Sequence, residues 1–275
     1  MSKPPFRDYA YAEPKVEVER RGDGSVILRS GYPLGTYEDH VLRYLERWNA
    51  QDPGRLFLAQ RRPDRSWQTL SYGEAWRQAR AVGQALLDRG LGPERPVMIL
   101  SGNSIEHALM TLGAMMAGVP AAPVSPAYSL MSEDFGKLRH VRDLVDPGLV
   151  FVQDAGPFAR ALEALALTDV EVVAAKGEGT PLAELLAATP GAVLEAAYRR
   201  LGPDTVAKYL FTSGSTGLPK GVINTQRMMC ANQVMAQTYV PPEPDEPTVI
   251  VDWLPWNHTF GGNMNFNGVM ATGGT

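Results

Sequence analysis

Along this chain the spacing of apolar positions changes several times, and each change marks an element. The stretch VEVERRGDGSVILR alternates apolar and polar residues on both sides of Gly22, Asp23 and Gly24. That is the pattern of a small N-terminal β-hairpin whose tight turn needs positive φ. From RLFLAQRR and SWQTLSY onward, strand-like runs alternate with helical ones. Ala75, Ala79, Val82 and Ala85 recur at helical spacing and predict a helix over Tyr72–Arg89, closed by Gly90 and Pro93. RPVMILSG predicts a buried strand, Ser104–Gly118 a helix, PAAPVS a strand and Glu133–Val145 a helix. GLVFVQD, a helix over Pro157–Leu167, VEVVAAK and a helix over Pro181–Ala188 continue the rhythm. Such alternation implies an α/β fold of largely parallel sheets flanked by helices.

There is no internal repeat or low-complexity tract. A boundary falls at LGPDT, Leu201–Thr205, where a helix ends in Gly202 and Pro203. The expected organisation is an extension with the hairpin over 1–50, a first α/β subdomain over 51–200, and the start of a second subdomain over 201–275. VPPEPDEPT, Val240–Thr248, carries four prolines in nine residues, which excludes helix and interior strand and predicts an exposed turn. The chain ends at ATGGT inside a continuing core pattern, as an excised piece would.

Composition narrows the class without naming an activity. With 275 residues, 44% hydrophobic and 20% charged, the chain suits one large domain or two small ones. The net charge of −4 is spread along the sequence, so no basic face points to nucleic acid or an anionic membrane. The single Cys230 excludes an intramolecular disulfide and reads as a buried structural thiol in a reducing cytosol. The start, MSKPPFRDYAYAEP, has prolines and charges where a secretory signal needs an apolar stretch. Ala108–Val124, the most apolar segment, is interrupted by Pro120 and too short to span a bilayer, so it reads as a core helix and a strand. The expected compartment is the cytoplasm.

The chemistry concentrates in YLFTSGSTGLPKGV, Tyr209–Val222. Glycines let the backbone curl and expose successive N–H groups, Thr212, Ser213, Ser215 and Thr216 add hydroxyls, and Lys220 adds positive charge. Together they suit the oxygens of a triphosphate or a leaving pyrophosphate. A Walker A loop is excluded, because it needs Gly before the lysine and Ser or Thr after it, whereas Lys220 lies between Pro219 and Gly221. A nucleophile elbow is excluded as well, since neither Ser213 nor Ser215 has glycine two places away on both sides.

The decapeptide TSGSTGLPKG, Thr212–Gly221, resembles position by position the phosphate-binding signature of the adenylate-forming superfamily of acyl-CoA synthetases, adenylation domains and beetle luciferases. The resemblance implies that Thr212, Ser213, Gly214, Ser215, Thr216, Gly217 and Lys220 hold the phosphates of ATP. WLPWNHTFGGN, Trp253–Asn263, resembles that family's next motif, and implies a pocket for the acid built from His258, Phe260, Gly261 and Gly262, with His258 beside the carboxylate or nascent adenylate. Lys220 and His258 are then the expected catalytic pair. Trp256 with Phe260, Gly261 and Gly262 would make a flat slot. The scaffold from Thr69 to Tyr128 is similar to the family's N-terminal part.

By the same resemblance ATP, Mg²⁺ and coenzyme A are the expected cofactors and co-substrates, and a small carboxylic acid is the expected partner. The adenine, ribose and magnesium contacts and the lid with its lysine belong to segments that in the family follow Thr275, so this stretch is expected to be inactive alone. APVSPAYSLMSEDFGKLRHV and WLPWNHTFGGNMNFNGV look most like feruloyl-CoA synthetase, which implies a hydroxycinnamate. The alternatives are a medium-chain or aryl acyl-CoA synthetase, a domain charging a carrier protein, and a non-catalytic nucleotide-binding module.

Other polar residues read as structural. Asn103, Glu106 and His107 are expected to cap a helix or face solvent. His40 and His140 have no companions at metal-ligand spacing, so no structural metal is expected. Met228, Met229, Val234 and Met235 follow the loop at near-helical spacing in a helix over Gln226–Tyr239 and are expected to pack in the core, or else to border a substrate tunnel.

Overall fold

A computed structural model of the chain describes residues 10–213, 217–242 and 247–275, with only the backbone of Ser213 included. The N-terminal hairpin pairs β1 (Val16–Arg20) with β2 (Val26–Ser30), from Val16 opposite Ser30 to Arg20 opposite Val26. Gly24 takes φ +86° in its turn, and the Asp23 carboxylate accepts from Ser25 N at 2.9 Å. Helix α1 (Leu42–Gln51) follows within the segment read as an extension, and it buries Leu42, Tyr44 and Leu45. A second hairpin, β3 (Leu56–Arg61) and β4 (Trp67–Ser71), runs directly into α2 (Tyr72–Asp88). Ser71 starts that helix with a capping box to Glu74, and Gly90 ends it at φ +73°.

The main sheet is built from β5 (Val97–Leu100), α3 (Ile105–Met116), β6 (Ala121–Pro123), α4 (Ala127–Leu130), α5 (Gly136–Val145), β7 (Leu149–Val152), α6 (Ala155–Leu165) and β8 (Glu171–Ala174). It is extended by β9 (Thr180–Pro181) and, after α7 (Leu182–Leu186) and α8 (Ala192–Arg199), by β10 (Val206–Ser213) and β11 (Pro219–Thr225). The strand order is β11-β10-β6-β5-β7-β8-β9, parallel except for the β10–β11 pair. Helix α9 (Gln226–Tyr239), a π-helical turn over Phe260–Asn265 and α10 (Phe266–Thr272) complete the elements. No helix among the described residues is long and apolar enough to cross a membrane.

Both faces of the sheet are covered, which is why its strands read as continuous apolar runs. Val97, Ile99, Leu149 and Phe151 pack with Val82, Leu86, Met110 and Leu185 on one side. Met98, Leu100, Val150 and Val152 pack with Leu138, Val141, Phe158 and Ala161 on the other. Helices α2 and α3 cross closely because Gly113 has no side chain: a Cβ there would lie 2.6 Å from Val82 Cβ. A third cluster draws Leu42, Leu45, Phe57, Tyr72 and Leu109 together with Met229, Cys230, Phe266 and Met270, residues distant in sequence. Burial pushes the Cys230 thiol up to about 12, so it is an unreactive core group.

Two helix starts differ from the sequence reading. The helix expected from Glu133 begins at Gly136, because Phe135 takes a left-handed φ of +51° and Ser132 and Asp134 accept from Phe135 N and Gly136 N. The helix expected from Pro157 begins at Ala155 behind the Asp154 cap, which accepts from Gly156 N at 3.1 Å. Pro157 thus sits in a first turn, where no intrahelical N–H is needed.

Candidate active site

The glycine-rich loop joins β10 to β11 as a hairpin at the sheet's edge. Its register places Phe211 opposite Gly221, Thr212 opposite Lys220 and Ser213 opposite Pro219. The hydroxyl of Thr212 and the ammonium of Lys220 therefore stand side by side at the hairpin's mouth. Both residues are exposed and neither has a side-chain partner among the described residues. Gly217 takes φ +85°, a conformation that only glycine adopts without strain. Gly214, Ser215 and Thr216, expected to complete the phosphate grip, lie outside the described residues, as does the Ser213 side chain. The arm that carries the lysine is braced from α5, where the His140 ring nitrogen Nε2 donates to Pro219 O at 2.9 Å.

The second motif wraps into a compact knot. Asp252 Oδ1 accepts from Leu254 N at 3.1 Å and from Asn265 Nδ2 at 3.0 Å, while Oδ2 accepts from the Trp256 indole at 3.2 Å. His258 is exposed; its Nδ1 accepts from Phe260 N at 3.3 Å, which leaves the ring proton on Nε2. His258 O accepts from Gly262 N at 2.8 Å. Gly261 and Gly262 are buried against backbone: a Cβ on Gly261 would lie 2.6 Å from Leu254 O, and one on Gly262 would overlap Trp256 O. Gly262→Ala should accordingly cost about 1–3 kcal/mol, seen as a lower urea midpoint at unchanged slope.

Trp256 is set apart from Phe260, its expected companion in a flat slot. Trp256 instead packs on Phe266, with ring centroids 4.8 Å apart, and on His107 at 5.4 Å. Phe260 is 55% exposed and, with Asn224, Met228, Asn232, Thr259, Asn263 and Met264, lines a cleft of about 370 Å³. The methionines are corrected in the same way. Met229 is buried in the core, but Met228 and Met235 are exposed, and Met228 borders the cleft, as the tunnel reading allowed.

Asn103 and His107 are likewise not surface groups. Asn103 donates from Nδ2 to Leu254 O at 2.8 Å and accepts from Trp256 N at 2.9 Å, so one amide clamps the backbone ahead of His258. His107 is buried, with Nδ1 3.0 Å from Gly102 O. Burial, assisted by the charge of Lys208, pushes its pKa down to about 4. Glu106 Oε1 accepts from Gln68 at 3.2 Å, and its Oε2 is buried without a partner. His40 is buried against Tyr198 and is also pushed down to about 4 by desolvation. Among the described residues no group of three or more His, Cys, Asp or Glu side chains is placed to hold a metal.

Sequence reasoning passed over Lys208. It lies on β10 four residues before Thr212, is 2% exposed, and donates to Gly262 O at 2.9 Å and Asn263 Oδ1 at 3.3 Å. Desolvation pushes its pKa down to about 7. Asn263 Nδ2 donates in turn to Asn224 Oδ1 on β11 at 2.8 Å, and Asn263 O accepts from Gln233 at 2.8 Å. The two motifs are thereby tied together from both strands of the glycine-rich hairpin. The available signal was a charged residue in a strand with two buried faces, which needs a reason.

Residues 45–275 match the AMP-binding enzyme family, and the chain belongs to it. It is 28% identical over 214 residues to the peroxisomal OPC-8:0-CoA ligase 1 of Arabidopsis thaliana, covering 76% of this chain and 37% of that protein. It is 31% identical over 185 residues to a sulfoacetate–CoA ligase of Cupriavidus necator, covering 66% of this chain and 34% of that one. The chain thus spans about a third of the length of these relatives. Among solved structures it shares the fold of McyG A-PCP complexed with phenylalanyl-adenylate, at a TM-score of 0.70 and 20% identity over 89% of this chain and 37% of that one.

Proposed function

We propose that this chain carries the phosphate grip and part of the acid pocket of an ATP-dependent acid-thiol ligase. The observation that carries the reading is the hairpin mouth, where Lys220 and Thr212 stand opposite each other, exposed and with no side-chain partner among the described residues. A carboxylate oxygen attacks the α-phosphorus of ATP, the bond to the β-phosphate oxygen breaks, and an acyl adenylate and pyrophosphate form. Two anions must approach each other for this, so the chain's contribution is positive charge, N–H donors and orientation. Lys220, Thr212 and the loop hydroxyls bind the phosphates, and His258 orients the carboxylate through its Nε2 proton. A thiol, that of coenzyme A in this reading, then attacks the acyl carbon and releases AMP.

Magnesium accompanies ATP in such chemistry; no group of three or more His, Cys, Asp or Glu side chains among the described residues would cage it, so it would be held largely by the nucleotide's own phosphate oxygens. The acid is proposed to be a hydroxycinnamate such as ferulate. The two segments resembling feruloyl-CoA synthetase support this, as does a cleft that sets Phe260, Met228 and Met264 beside three asparagine amides. The single cysteine, buried and unpaired, supports a cytoplasmic setting.

A panel of carboxylic acids in the ATP–pyrophosphate exchange assay, with the complete gene product, tests the reading. Ferulate and its hydroxylated analogues should drive exchange and then yield CoA thioesters. Exchange without thioester, relieved by a carrier protein, would move the assignment to carrier charging. Absence of exchange with every acid would refute it.

A further inference from the structure

The amides of the cleft are oriented from beneath. An ammonium has donors and no acceptor, so Asn263 meets Lys208 with Oδ1 and must turn Nδ2 away, to Asn224 Oδ1 at 2.8 Å. That contact fixes Asn224 as well, with its Nδ2 donating to Val222 O at 2.9 Å. A neutral lysine amine would still have two N–H groups, enough for the same two oxygens. Asn263 and Asn224 both line the cleft, whereas Lys208 is buried behind them among His107, Thr111, Trp256 and Phe266. His107 is the one titratable group among these neighbours. No carboxylate pairs with Lys208 among the described residues. An unpaired buried cation is costly, and a methionine would fill the space, so packing alone does not account for a lysine here.

We infer that Lys208 is a positioning residue that sets the donor and acceptor polarity of the cleft wall through Asn263 and Asn224, so that the cleft takes an acid whose tail carries an uncharged hydroxyl or ether oxygen. Each amide nitrogen keeps a second N–H and each amide oxygen a second lone pair for a ligand, and a plain hydrocarbon tail would leave that remaining capacity without a partner. A tail with a second anionic group would meet only Asn, Met, Thr and Phe side chains there. The inference rests on the proposed function in taking the cleft as the seat of the acid's tail.

The test compares cinnamic with 4-hydroxycinnamic acid in pyrophosphate exchange by the complete gene product. The unaltered protein should favour the hydroxylated acid by about tenfold in kcat/KM, the worth of one hydrogen bond. Lys208→Met should bring the ratio to about one, mainly by raising KM for the hydroxylated acid. Asn263→Leu, at a half-buried position, should do the same without a substitution in the core. A ratio unchanged in either variant, or an equal fall in kcat on both acids, would overturn the inference. Exchange without any preference in the unaltered protein would overturn it alone, whereas no exchange with any acid would remove the proposed function and this inference together.

Discussion

Replacing Lys220 by alanine in the complete gene product should slow acid-dependent exchange of pyrophosphate into ATP by about 10²- to 10³-fold, the usual loss when one preorganised charge-stabilising group is removed. The side chain is exposed, outside the core and unpaired among the described residues, so stability should be unaffected and the loss should appear in turnover. Its backbone is held by the strand pair with Thr212 and, one residue earlier, by His140 on Pro219 O. The ammonium is therefore delivered on a rigid arm. Lys220→Arg keeps the charge but spreads it over a wider planar group, and should recover only part of the rate. Exchange at the unaltered rate in Lys220→Ala would remove this residue from the phosphate grip.

Lys208→Met should make the protein more stable at neutral pH, by about 1–4 kcal/mol, as when buried charges give way to apolar groups of similar volume. The sign follows from proton counting. Lys208 has a pKa of about 7 in the folded chain against an ordinary 10.5, so between these values the unfolded chain binds more protons than the folded one. Stability therefore rises with pH across that window. The advantage of methionine should be fullest at and below pH 7 and should shrink as pH climbs to 10.5. Urea midpoints of both proteins at pH 7, 8.5 and 10 would check this, and a gap that does not narrow would contradict the buried-amine account. His40 and His107, each near 4 in the fold against 6.5, act in the acid range, removing stability from both proteins as pH falls from 6.5 towards 4.

The parts of this molecule that were legible in its sequence are those fixed by local spacing. The runs that became β5 and β7 are apolar throughout because both sheet faces are covered. Ser71 and Glu74 sit at capping-box spacing at the start of α2, whose extent the alanine periodicity gave. The glycine-rich hairpin was legible because a short loop must carry all its own special residues. What escaped depends on partners far along the chain. Asn103 and His107 looked like surface caps because Leu254 and Trp256, which they hold, come some 150 residues later. Lys208 escaped notice because nothing nearby in sequence says that its strand is closed over by the Phe260–Asn265 turn. Met228 and Met235 share a helix with Met229 but point away from the core, and three methionines at near-helical spacing do not say which one is inside.

The π-helical turn has a consequence of its own for how this pocket can diversify. It carries one residue more per turn than the α-helix that continues it as α10. An α-helix advances about 100° per residue. Deleting a single residue between Phe260 and Asn265 would let the turn close as ordinary helix, leave α10 seated on Tyr72 and Phe57, and swing everything before it by about that angle. Phe260 would then leave the cleft and a neighbour would take its place. One codon lost exchanges the side chain presented to the cleft while the foundation stays still.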